Sequence, residues 1–124
     1  MTPPIVVIDD DAMVRTSIQR ILEAEGYEVA LASNGREGLG LMQRLAPRLV
    51  ITDLIMPEME GIETIAEMRR LRADLRIIAI SGGGRIGNAD FLDMARKIGA
   101  NDIMAKPFDP DEFITMVRQQ LDTV

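Results

Sequence analysis

Residues 50–61 read Val50-Ile51-Thr52-Asp53-Leu54-Ile55-Met56-Pro57-Glu58-Met59-Glu60-Gly61. The aliphatic and β-branched residues at the start of this segment predict a short buried strand. A strand that is covered on both faces of a parallel sheet has a continuous apolar run rather than an alternating one. The segment therefore predicts a central strand that carries the carboxylate of Asp53 at its end.

Two other apolar runs end on charged residues in the same way. The run Ile5 to Ile8 is followed by Asp9, Asp10 and Asp11, and the run Ile103 to Ala105 is followed by Lys106. Two of the three predicted strand ends thus carry carboxylates, and the third carries the ammonium group of Lys106. The simplest site that needs this set holds a divalent cation and a phosphoryl group, with Asp53 as the acceptor.

Short apolar runs alternate with segments of helical period along the whole chain, which predicts five βα units and a parallel sheet with helices on both faces. We expect strands near residues 5–9, 28–31, 48–53, 76–81 and 102–105. Strand-helix-strand crossovers are almost always right-handed, so the carboxyl ends of these strands meet at one edge, where open α/β sheets bind ligands. That edge would collect Asp9, Asp10, Asp53, Ser81 and Lys106.

Composition narrows the chemistry further. The 124 residues suit one domain, which we expect to span residues 1–124, and the 47% apolar and 27% charged residues are typical of a globular protein. The absence of cysteine and histidine excludes thiol nucleophiles and imidazole bases. A net charge of −6 argues against direct nucleic-acid binding. No secretory signal or membrane span is recognisable, so we expect no membrane partner and a cytoplasmic location.

The acids need a positive partner. Ionised carboxylates about 5 Å apart repel by roughly 3 kcal/mol at an effective dielectric near 20. Mg²⁺ suits an open site with few carboxylates and a phosphate oxygen, and we expect Asp10 and Asp53 to ligate it directly and Asp9 mainly through water. Lys106 and the hydroxyl of Ser81 would contact the phosphoryl group on Asp53.

With these residues the chain resembles the response-regulator receiver domain of bacterial two-component signalling, over essentially its full length. The resemblance rests on Asp9-Asp10, on Asp53 with Met56-Pro57 and Gly61, on Ser81, and on Lys106-Pro107-Phe108. It implies a flavodoxin-like (βα)5 doubly wound fold, a five-stranded parallel sheet of order 2-1-3-4-5, and a cis peptide bond before Pro107.

The resemblance also implies a function. A stand-alone receiver would accept a phosphoryl group on Asp53 from a sensor histidine kinase or a phosphotransfer protein, and would pass the signal to a downstream target protein. Asp9 and Asp10 would bind Mg²⁺ with help from the carbonyl of Ile55. Phosphorylation would be self-directed and followed by slow autodephosphorylation, so the chain would be a signalling phosphoacceptor rather than a turnover enzyme.

Two features depart from the family pattern. Ile103 occupies the position in the fifth strand that often holds an aromatic switch residue, and the stretch from Ser81 to Lys106 is longer than usual, with a glycine-rich loop at residues 82–87. This loop matches G-x-G-x-x-G, but a dinucleotide site uses the first βα turn, so we interpret it as a hinge.

Two alternatives remain open. An aspartate-nucleophile phosphatase would use Asp9 as nucleophile and Asp11 as acid, and an adaptor would use the surface of the fold without phosphorylation.

Overall fold

The computed structural model describes residues 3–54, 61–82, 93 and 95–122. Within these ranges the protein contains a five-stranded parallel sheet of order β2-β1-β3-β4-β5. Its strands are β1 (Ile5–Ile8), β2 (Val29–Ala32), β3 (Leu49–Asp53), β4 (Arg76–Gly82) and β5 (Asp102–Lys106). The predicted fold class and strand order are confirmed, and the strand bounds differ from the prediction by one residue.

Helices follow the strands on both faces of the sheet. They are α1 (Ala12–Ala24), α2 (Gly35–Leu45), α3 (Gly61–Leu71), α4 (described at residues 93 and 95–98) and α5 (Pro110–Asp122). The peptide bond between Lys106 and Pro107 is cis, as the resemblance implied. Sequence features that fall on residues 55–60, 83–92 and 94, including Ile55 and most of the glycine-rich loop, lie outside the described residues.

Side-chain caps fix where the helices start. The carboxylate of Asp11 accepts hydrogen bonds from the backbone N–H groups of Met13 and Val14 at the start of α1. Asn34 caps α2, and Asp109 accepts from the N–H of Glu112 at the start of α5. Because each cap follows a strand end within a few residues, the sequence places helix starts beside the carboxyl edge of the sheet.

The core has two parts, one on each face of the sheet, because neighbouring residues of a strand point to opposite faces. Val6 and Ile8 face α2 and α3, whereas Ile5 and Val7 face α1 and α5. Apolar side chains of the helices complete both clusters, and Phe113 of α5 is fully buried. The sheet thus packs between two apolar layers.

Arginine side chains bind backbone carbonyls at the opposite, amino edge of the sheet. Arg69 donates to the carbonyls of Ala73 and Gly99 at 2.8 and 2.7 Å, which joins the ends of α3 and α4. Arg48 donates to the carbonyl of Leu121 at the end of α5 at 2.7 Å. These contacts satisfy carbonyls that have no partner within their own helix.

No helix in the described ranges has both the length and the apolar character needed to cross a bilayer.

Replacing Gly38 with alanine should destabilise the protein. A Cβ atom at Gly38 would lie 2.1 Å from Cδ1 and 2.6 Å from Cγ1 of Ile8, whose side chain is fully buried. We expect Gly38→Ala to lower the free energy of unfolding by about 1–3 kcal/mol in urea denaturation. Gly40→Ala on the same helix is the control, because a Cβ there meets no atom within 4 Å. An equal effect of both variants would contradict this packing.

Candidate functional site

The parallel register places the predicted site residues side by side at the carboxyl edge of the sheet. Ile8 pairs with Thr52, so Asp9 follows at the level of Asp53. Asp53 pairs with Ile80, which directly precedes Ser81 on the neighbouring strand. Ser81 in turn pairs with Ala105, the residue before Lys106.

Asp9, Asp10 and Asp53 form a compact cluster of acids. Each offers a carboxylate oxygen, and these three oxygens lie within 4.8 Å of one another. Asp9 is 0% exposed and Asp53 is 6% exposed, whereas Asp10 is open to solvent. Two nearly buried negative charges and one exposed charge therefore share one small region at the carboxyl edge.

Asp9 makes hydrogen bonds through its backbone N–H, its carbonyl and both of its carboxylate oxygens. Its backbone N–H donates to the carbonyl of Ala32 at 3.1 Å, and its Oδ1 accepts from the N–H of Asp11 at 2.9 Å. Its Oδ2 accepts from Nζ of Lys106 at 2.9 Å, and its carbonyl accepts from Nη1 of Arg15 at 2.7 Å. Both carboxylate oxygens of Asp9 thus have protein partners.

Lys106 lies opposite the acids. Besides its contact with Asp9, its ammonium group lies 3.5 Å from Oδ2 of Asp53. Partial burial by itself lowers the pKa of Lys106, but the hydrogen bond to Asp9 and the charges of Asp53 and Asp9 outweigh burial, and the pKa is raised. Lys106 therefore stays protonated throughout the physiological range.

Ser81 places a hydroxyl group at the end of β4, beside the strands that carry Asp53 and Lys106. Its side chain is fully buried, and Oγ has no hydrogen-bond partner among the described residues. A buried hydroxyl without a partner costs about 1–3 kcal/mol of free energy, so its presence here needs an explanation, and a bound ligand is one. At the end of β4, this hydroxyl is available to a group that binds between Asp53 and Lys106.

Gly61 supports the strand end that carries Asp53. Its N–H donates to the carbonyl of Leu54 at 2.8 Å. A Cβ at this position would lie 2.1 Å from the carbonyl oxygen of Asp53 and 2.3 Å from Cα of Leu54. Glycine is therefore required by the close approach of α3 to the backbone of Asp53.

The donor set fits a hard divalent cation. Carboxylate oxygens are the ligands that Mg²⁺ prefers, and the exposure of Asp10 leaves room for the waters that Mg²⁺ retains. The repulsion within the cluster also favours a cation in addition to the single charge of Lys106.

An apolar groove of about 720 Å³ borders the site between α1 and the start of α5. We call it the α1 groove; its lining includes Met13, Val14, Ser17, Ile21, Pro107 and Phe108. Lys106 also lines it, so the groove opens directly beside the acids. Met13 is 80% exposed, which is high for a large apolar side chain.

The structure brings together five of the six residues that the sequence predicts for the site, namely Asp9, Asp10, Asp53, Ser81 and Lys106, and the sixth, Ile55, lies outside the described residues. Sequence reasoning missed the contact made by Arg15. A signal exists, because helical side chains lean toward the helix N-terminus, and a long side chain one turn into α1 can reach back to the strand end.

Comparisons with known proteins identify the family of the chain. A model of the response regulator receiver domain family matches residues 5–118. The chain is 31% identical over 121 residues to sporulation initiation phosphotransferase F of Bacillus subtilis, with 98% of this chain and 95% of that protein covered. It is 36% identical over 111 residues to the chemotaxis protein CheY of Thermotoga maritima, with 89% of this chain and 90% of that protein covered.

Solved structures give the same result. The receiver domain of NtrX from Brucella abortus matches with a TM-score of 0.89 and 30% identity, covering 97% of this chain and 99% of that chain. The chain therefore belongs to the response regulator receiver domain family and has its general role in two-component signalling.

Proposed function

We propose that this receiver accepts a phosphoryl group on Asp53 from a sensor histidine kinase or a phosphotransfer protein, with Mg²⁺ held by Asp9, Asp10 and Asp53. The observation that carries the proposal is the cluster of three carboxylates opposite the ammonium group of Lys106. The unpartnered hydroxyl of Ser81 supports it, because a phosphoryl group brings new acceptor oxygens.

The roles of the acids differ with their contacts. Because both carboxylate oxygens of Asp9 already accept hydrogen bonds, Asp9 would act on the cation mainly through water, and Asp10 and Asp53 would be its direct ligands. The carbonyl of Ile55 is a further proposed ligand. Bound Mg²⁺ would neutralise charge on the phosphoryl oxygens.

The reaction is a displacement at phosphorus. A carboxylate oxygen of Asp53 forms a bond to the phosphorus atom as the bond from phosphorus to the donor nitrogen breaks, and the electron pair of that bond stays on the donor imidazole. Lys106 then donates hydrogen bonds to a phosphoryl oxygen, and the hydroxyl of Ser81 donates to another. Slow attack of water on the acyl phosphate would restore the carboxylate.

The first test is the site of phosphorylation. With a small-molecule phosphodonor and Mg²⁺, we expect the protein to gain the mass of one phosphoryl group on Asp53, located by mass spectrometry of peptides after reductive trapping. Asp53→Asn should abolish the gain, because an amide oxygen is a poor nucleophile. Asp111→Asn, at an exposed acid in the first turn of α5, is the control.

Other outcomes would favour the alternatives. A phosphoryl group trapped on Asp9 would favour an aspartate-nucleophile phosphatase. Full biological output from Asp53→Asn would favour a phosphorylation-independent adaptor.

Lys106 should also stabilise the protein before any phosphoryl group arrives. Lys106→Met leaves the buried carboxylates without their ammonium partner, and we expect the free energy of unfolding at pH 7 to fall by about 2 kcal/mol without divalent cations. Because the pKa of Lys106 is raised in the folded protein, its stabilisation is fully present below about pH 10.5 and is lost as the pH rises through the higher folded value.

Denaturation of both proteins across pH measures this effect. The difference in free energy of unfolding between wild type and Lys106→Met should disappear above the raised pKa of Lys106. Lys97→Met, at an exposed position in α4, should have the same free energy of unfolding as wild type at every pH. A gap that persists unchanged into strong alkali would contradict the ion-pair explanation.

The α1 groove is our proposed docking surface for the phosphodonor protein. Its apolar lining suits the apolar face of a partner helix, and its contact with Lys106 would bring a phosphohistidine on that helix next to Asp53. A downstream target protein would then read the phosphorylated state. We further propose that residues 1–124 form a single, cytoplasmic receiver domain.

Polar substitution in the groove should separate the two kinds of donor. Met13→Gln should slow phosphotransfer from a phosphorylated sensor histidine kinase about tenfold, through the loss of buried apolar contact, and leave phosphorylation by acetyl phosphate unchanged. Leu71→Gln, at an exposed apolar residue at the end of α3, is the control. An equal loss with both donors would refute the docking role.

A further inference from the structure

Arg15 makes a contact that none of the proposed roles uses. It lies in the second turn of α1, is partly buried, and donates from Nη1 to the backbone carbonyl of Asp9 at 2.7 Å. A guanidinium group is always charged, so this is a charge-assisted hydrogen bond and stronger than one between neutral groups. The contact crosses from α1 to the end of β1, at the base of the acid cluster.

The carbonyl of Asp9 belongs to the same planar unit as the N–H of Asp10. Because the peptide bond is planar, an atom that fixes the direction of the carbonyl also fixes the direction in which the chain enters Asp10. The hydrogen bond from Arg15 therefore orients the residue that follows Asp9 as well as Asp9 itself.

The side chains of Asp9 and Asp10 are held very differently. The carboxylate of Asp9 accepts hydrogen bonds from Asp11 and Lys106 and would keep its place without Arg15. The carboxylate of Asp10 is exposed and makes no hydrogen bond or ion pair with any residue in the described part of the chain. Its position within 4.8 Å of the other two acids therefore depends on its backbone.

We propose that Arg15 is a positioning residue for the cation site, because it holds the Asp9–Asp10 peptide so that the carboxylate of Asp10 stays with those of Asp9 and Asp53. This inference rests on the proposed function, since it concerns the affinity of the same site for Mg²⁺. Arg15 would act on the cation only through this peptide and would not be a ligand itself.

The direction in which Mg²⁺ affinity changes on removal of Arg15 distinguishes a positioning role from a purely electrostatic one. A fixed positive charge beside a cation site weakens cation binding, so removal of Arg15 should strengthen it if charge were all that mattered. Removal of a group that orients a ligand typically weakens metal binding by a factor of ten or more. The two explanations therefore predict opposite changes in the dissociation constant.

The experiment is a calorimetric titration of the whole chain with MgCl₂ at constant ionic strength. We expect Arg15→Gln to raise the dissociation constant for Mg²⁺ about tenfold, and Arg15→Lys to raise it less, because an ammonium group can still donate one hydrogen bond to the Asp9 carbonyl. Arg36→Gln is the charge control; Arg36 is an exposed arginine in the first turn of α2 without a partner among the described residues.

A second control separates positioning from stability. Val117→Ala removes buried volume in α5, far along the chain from the acids, and should lower the melting temperature without changing the dissociation constant. If Arg15→Gln is not folded well enough for titration, the dissociation constant of Arg15→Lys for Mg²⁺ is the test. Unchanged or tighter Mg²⁺ binding by the folded Arg15 variants would overturn the positioning role and leave the proposed function intact.

A separate result would contradict the proposed function itself. If the unaltered protein bound no Mg²⁺, the cation site itself would be wrong, and the role of Arg15 would fail with it. Asp10→Asn provides the reference, because it should weaken Mg²⁺ binding at least as much as Arg15→Gln.

Discussion

Two nearly buried carboxylates and one ammonium group, set within a few ångströms, constrain the rest of the structure. Asp9 and Asp53 would repel strongly at this depth if Lys106 did not face both of them. Lys106 cannot neutralise three acids by itself, so the site retains an excess of negative charge. The cluster thus carries more negative than positive charge, and the Mg²⁺ that we propose for this site would balance the excess.

The sheet is what makes this arrangement possible. The acids of β1 and β3 lie at the ends of apolar strands that are buried on both faces, whereas β5, which carries Lys106, is only partly buried. The parallel register then aligns the ends of β1, β3, β4 and β5 at one edge. Gly61 completes the support, because α3 approaches the backbone of Asp53 more closely than any side chain would allow.

Much of this could be predicted from sequence because the signals are local. An apolar run followed by a charge predicts a strand end, and Asp11 and Asp109 are recognisable as caps from their places before helices. The convergence of Asp53 with Lys106 followed from the handedness of crossovers. These inferences need only periodicity and topology, and the structure agrees with them.

Other features depend on distances that no local pattern contains. The close approach of Gly38 to Ile8 and the depth of Asp9 arise from how tightly helix and sheet pack. The contact from Arg15 to the Asp9 carbonyl depends on one choice among several rotamers of a long side chain. The unpartnered hydroxyl of Ser81 becomes visible only when all neighbours of that atom are known.

The arginine contacts at the amino edge have a consequence for how such a protein can diverge. Arg69 and Arg48 close the ends of α3, α4 and α5 by binding their carbonyls, at the side of the sheet away from the acids. Lysine cannot replace the planar fork of Arg69, which serves acceptors at the ends of both α3 and α4. A relative that lacked Arg69 would therefore have to join the ends of α3 and α4 by other contacts, even if its acid cluster were unchanged.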